Sequence, residues 1–189
     1  MRQNSRPFLE PMIKLTPKNL YHGPSPKASE PVIVIELEIA RPVQERASEL
    51  TASMTAFSSS WFENTVDPRL PADLYLGQFL ASWSLAALNR RRGYLHESGA
   101  ERKRNSIEIW LAYHSHTLAY ECLGIAARFL IEMASEKLSE SEADSILQDF
   151  WKKCRQRHPD SQVKVLMTAA RHAGIPYTPY LPYLPGKRY

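Results

Sequence analysis

Residues 73–93 read DLYLGQFLASWSLAALNRRRG, and the rest of the chain is organised around them. Leu76, Phe79, Leu80, Trp83 and Ala87 recur at helical spacing. Asp73 is placed to cap the N-terminus, and Gly93 is expected to take a left-handed turn after three arginines that suit a helix C-terminus. Leu74, Leu85, Ala86 and Leu88 carry apolar character onto nearly every other face, so this helix is expected to be packed on several sides. Its interior polar residues are Gln78, Ser82, Ser84 and Asn89, which supply no reaction by themselves.

Working outward on the N-terminal side, Val32–Ile39 (VIVIELEI) is the clearest strand, β-branched at first and then alternating Glu36 and Glu38 with Leu37 and Ile39. Met12–Leu15 is expected to be a short edge strand, and residues 19–31, NLYHGPSPKASEP, a loop because of their three prolines and one glycine. Residues 1–11 are expected to form a loose arm. Between strand and central helix, Val43, Ala47, Leu50, Met54 and Phe57 predict a helix over 42–62, followed by a proline-bearing loop over 63–71.

On the C-terminal side, Tyr94–Glu97 and Ser106–His114 are expected to pair as a hairpin across a charged turn at 98–105, with Ile107, Ile109 and Leu111 alternating against Glu108 and Trp110. Leu118, Cys122, Ile125, Phe129 and Met133 predict a helix over 118–134. Ser139 and Glu142 form a capping-box pattern for a helix carrying Ala143, Ile146, Leu147, Phe150 and Cys154, and a last helix is expected from a cap at Asp160 to a stop at Gly174. In the tail, prolines at 176, 179, 182 and 185 and tyrosines at 177, 180 and 183 have the three-residue period of a polyproline II segment, read either as an extended surface segment or as a ligand for an aromatic groove. The whole order favours an α+β fold, a small mixed or antiparallel sheet packed against several helices in one domain over 12–175, with the arm 1–11 and the tail 176–189 outside it.

A hydrophobic fraction of 43% with 23% charged residues places the chain among ordinary globular proteins. No apolar run reaches the roughly 18–20 residues needed to cross a bilayer, so no membrane partner is expected. The N-terminus shows no secretory signal, and Cys122 and Cys154 fall on apolar helix stripes, as buried thiols of a cytoplasmic protein would. The net charge is +4, and the segment Arg90–Arg104 alone accounts for it: Arg90, Arg91, Arg92, Arg102, Lys103 and Arg104 stand against Glu97 and Glu101. So local an excess argues against nucleic acid and for one patch that attracts carboxylates of a peptide or partner, the alternative being a solvated helix end and loop.

Other chemistry is thinner. His114 and His116 would share one face of a strand with His96 across the hairpin, a spacing that can bring imidazoles to one metal, although no carboxylate or cysteine stands in support. Neither cysteine has a setting that would make it a nucleophile. No glycine-rich phosphate loop occurs, so nucleotide binding by this chain is not expected.

Taken in order, NLY at Asn19, the VIVIELEI strand, the helix from Gly77 to Gly93, the unit IEIWLAY…AARFL from Ile107 to Leu130 and TAARHAGIPYTPYL from Thr168 to Leu181 resemble the N-terminal domain of cyanophycin synthetase and related ATP-grasp peptide ligases. The resemblance covers roughly residues 12–185 and lies in order and spacing. It implies a domain that holds a peptide or polymer substrate beside an ATP-grasp ligase module, in cis or in trans, with a possible homo-oligomer. ATP and Mg would belong to that module and no cofactor to this chain, since the sequence reaches Tyr189 about where an ATP-grasp domain would begin. Some family members carry an H-x-x-E-H metallopeptidase motif on the corresponding helix. Here those places are Gln78, Ala81 and Ser82, which implies a degenerate, non-catalytic site. Two further readings stay open: a metal-dependent hydrolase relocated to His96, His114 and His116, and a structural or oligomerisation domain.

Overall fold

A computed structural model describes residues 12–91, 93–104, 106–133, 137–159 and 161–175. The arm 1–11, Arg92, Asp160 and the Pro/Tyr-rich tail 176–189 therefore lie outside the described residues. Four strands, β1 (Ile13–Tyr21), β2 (Val32–Ile39), β3 (Ser98–Arg102) and β4 (Ile107–Ala112), form one antiparallel sheet in the order β1-β2-β4-β3. The helices are α1 (Arg41–Glu45), α2 (Ala47–Ser58), α3 (Ala72–Asn89), α4 (His116–Glu132), α5 (Glu140–Arg157) and α6 (Ser161–His172). The chain is thus an α+β fold with a purely antiparallel sheet.

Alternation along the strands decides which face is covered. Ile33, Ile35 and Leu37 of β2 stand opposite Leu111, Ile109 and Ile107 of β4, and Ile109 opposite Ala100 of β3, so these residues share the face on which α3 lies. Contact there is close: a Cβ on Gly77 would sit 2.7 Å from Ile107 Cγ2, so glycine lets the helix approach the sheet. On the other face Val34 stands opposite Trp110, the Trp110 ring covers Gly99, and Lys27 from the β1–β2 loop lies 5.2 Å from its centroid. Lys27 also pairs with Glu101 and Glu108.

The far side of α3 meets α2 and α4 through rings. Trp83, fully buried, is 5.3 Å from Phe62 and 6.0 Å from Phe129, while Phe57 is 4.8 Å from Trp61 and Trp61 5.7 Å from Trp151, all edge-to-face. The multi-sided burial read from 73–93 is therefore met by a sheet below and helices above.

Several boundaries differ from the sequence reading. β1 runs on to Tyr21, taking Asn19–Tyr21 out of the expected loop. The strand passes Pro17 through a register shift between Pro17 and Asn19, which an edge strand tolerates because one side needs no ladder bond. The helix expected over 42–62 is two helices, broken where Arg46 turns to φ −106°, ψ 14°. The N-cap of α3 is Pro71 rather than Asp73, and the left-handed residue after it is Tyr94 (φ 52°), not Gly93. Tyr94–Glu97 is not a strand, because its amides are used elsewhere: Leu95 is held at both peptide groups by the Asn89 side chain (2.7 and 2.9 Å), and the amides of His96 and Glu97 donate to Glu30 Oε2, leaving the Glu97 carbonyl to accept from Ala112 N of β4. The hairpin strand is instead Ser98–Arg102, the segment read as a charged turn. The capping box at Ser139 and Glu142 is present, and Gly174 ends α6 with φ +65°. Trp151 joins the buried face of α5, where Ile146 is only partly buried.

Candidate functional site

The cationic segment is split by the helix that it follows. Arg102 pairs with Asp73 in the first turn of α3, whereas Arg90 caps its last turn, so the two ends stand about 25 Å apart at 1.5 Å per residue. The described members of the six cations read as one patch therefore stand in two groups, Arg90 and Arg91 at one end and Arg102, Lys103 and Arg104 at the other; Arg92 lies outside the described residues. At the hairpin end the charges are largely matched: Arg102 to Asp73, and Lys103 to Glu101, which also holds Lys27. These two ammonium groups hold the Glu101 carboxyl down to about 2. Arg104 is exposed there.

At the other end no described acid matches the charges. α5 lies alongside the last turns of α3, since Trp151 Nε1 donates to Ala87 O (2.9 Å) and His158 Nδ1 donates to Arg91 O (2.7 Å). Arg91 rests over the Trp151 ring at 5.8 Å, and its buried Nε has no hydrogen-bond partner. Partial burial, together with the positive charges of Arg155 and Arg90 beside it, lowers its pKa. Among the described residues no carboxylate pairs with Arg90, Arg91 or Arg155.

The histidines do not converge. The His114 ring packs edge-to-face 5.6 Å from His158, and its Nε2 donates to Gly93 O. His116 opens α4 rather than extending a strand, with its ring 6.1 Å from Tyr113, and His96 is exposed. Burial pushes His158 down to about 4, aided by the neighbouring His114, and lowers His114 as well. Both rings thus act as neutral donors that tie the turn after α3 to α5. Among the described residues no group of three or more His, Cys, Asp or Glu is placed to hold a metal.

The three positions of the peptidase motif are taken up by packing. Gln78 Oε1 accepts from the Ala100 amide (3.0 Å), Ala81 is fully buried, and Ser82 Oγ donates to Asn64 Oδ1 (2.6 Å). Cys122 is buried with Sγ 3.5 Å from Ser84 O. Burial raises its thiol pKa, and that of Cys154 to about 12, so neither is a thiolate at neutral pH.

A feature missed in the sequence is a shallow groove of about 400 Å³ between β1 and α4, lined by Pro17, Lys18, Leu20, Ile33, His116 and Tyr120. Thr117, also on its wall, accepts from Arg157, so one wall of the groove is tied to the last turn of α5. Arg155 and Trp151 were equally illegible as site residues, because each reads as one position of an ordinary amphipathic helix until α5 is laid against α3. No helix among the described residues is long and apolar enough to cross a membrane. A scan against protein-family models finds no match, and a search of curated proteins likewise returns none.

Proposed function

We propose that the chain is a non-catalytic domain that holds an acidic peptide or polymer for a ligase of the cyanophycin-synthetase-like ATP-grasp type. The observation that carries the holding role is the arginine pair Arg90 and Arg91 at the end of α3, which no carboxylate among the described residues neutralises. The non-catalytic part is supported by Gln78, Ala81 and Ser82, whose side chains are occupied with the sheet, the core and Asn64. The groove beside Tyr120, whose wall residue Thr117 bonds to Arg157 in the last turn of α5, offers an extended peptide an apolar bed.

Docking of the ligase module falls to α6. Val165 and Leu166 are 66% and 70% exposed there, and Arg171 ties the helix to buried Glu30 at 2.8 Å. Fluorescence titration with oligoglutamate at low and raised salt tests the holding role. Affinity is expected to fall with salt and on Arg90→Gln; binding indifferent to both ends the electrostatic reading. Light scattering at several concentrations separates a docking face for another protein from self-association, which would show as a mass that rises with concentration.

A further inference from the structure

Resting on that holding role, we infer that Arg155 of α5 completes a carboxylate-binding site with Arg90 and Arg91, and that its ligand is an acidic peptide. Arg155 falls one turn after Trp151 and one before His158, the two α5 residues bonded to Ala87 and Arg91, so it shares their stripe of α5 beside Arg90 and Arg91 where both helices end. Two helix C-termini supply about −0.5 charge each, which offsets roughly one of the three positive charges and leaves a surplus of about +2. That surplus is not relieved by any ion pair among the described residues. The Trp151 ring under Arg91 and the His158 bond to Arg91 O hold the half-buried residue in place, so its guanidinium is positioned without further ordering of the chain.

A carboxylate is the ligand that such forks fit, by paired N–H donors. A nucleic acid would need a cationic track to follow phosphates about 1.7 Å apart along the duplex axis. Among the described residues there is none, because Lys14, Lys18, Lys27, Lys103, Arg128 and Lys153 are each engaged by a glutamate. The apolar groove with Thr117 on its wall suits a peptide chain better than a free anion.

The test is anisotropy of fluorescein-labelled tetraglutamate with the full chain, its Arg155→Gln and Arg90→Gln variants, and Lys152→Gln as a control of equal charge change on the same helix. Arg155 is exposed, so its variant keeps the fold, and urea unfolding checks this. Arg155→Gln is expected to weaken binding about tenfold and Lys152→Gln less than about twofold. Tetraglutamine, inorganic phosphate and a single-stranded oligonucleotide serve as competitors, and none is expected to match unlabelled tetraglutamate.

Wild-type affinity in Arg155→Gln with a loss in Arg90→Gln would overturn the three-arginine site and leave the holding role standing. No binding of tetraglutamate by the wild type at low salt would end both. Displacement by phosphate or by the oligonucleotide at lower concentration than by tetraglutamate would overturn the peptide as ligand.

Discussion

The two ends of α3 carry comparable numbers of cations and use them oppositely. At its N-terminal end Arg102, Lys103 and Lys27 are threaded among Asp73, Glu101 and Glu108, and the hairpin is held to the helix and to the β1–β2 loop by those pairs. At its C-terminal end no described acid pairs with Arg90, Arg91 or Arg155, and the joint is held by neutral groups instead: Trp151 to Ala87 and the histidines to the backbone. Positive charge that is balanced serves cohesion, and positive charge left over is available to a ligand.

The largest effect is expected from loosening the helix that separates the two ends. Trp83 is fully buried among Phe62 and Phe129, and Trp83→Ala should cost about 3–5 kcal/mol, measured by urea unfolding. Next comes acid, which should attack the C-terminal end. His158 is pushed from its ordinary 6.5 to about 4, so the unfolded chain binds a proton that the folded one refuses. The contribution is complete above about pH 6.5 and is lost as pH falls toward 4, roughly 3 kcal/mol over that window. His158→Gln should flatten this part of the stability profile; an unchanged slope would remove His158 from the account.

Smaller still, Glu101→Gln should destabilise by about 1 kcal/mol or less, because its two partners are partly solvated pairs at the surface. The smallest change carries the opposite sign. Arg155→Gln should leave the urea midpoint unchanged or raise stability by a few tenths of a kcal/mol, since it removes repulsion rather than a bond. If Arg155→Gln destabilised as much as Glu101→Gln, the contrast between the two ends would be gone.

Much of the fold could be read locally. The capping box at Ser139, the alternation of Ile107, Ile109 and Leu111, and the apolar faces of 73–93 each declare an element through its own period. Two misreadings of strands share one cause, in that the backbone was claimed by a group outside the segment. Leu95–Glu97 had the composition of a strand, but Asn89 and Glu30 hold those peptides, and Asn19–Tyr21 looked like loop until β2 paired with them. The site was half legible. Arg90 and Arg91 stood out as charge, whereas their separation from Arg102 needed the length of α3, and their neighbours Arg155, Trp151 and His158 needed the packing of α5.

The sequence by itself determined the α+β class, the buried helix at the centre and the absence of histidine and glutamate at Gln78, Ala81 and Ser82, because periodicity and residue chemistry are local properties. Only the tertiary structure decided which cations are neutralised and which are not. Charge balance depends on neighbours tens of residues apart in the chain, and at short range a single carboxylate turns an arginine from a binding group into a strut.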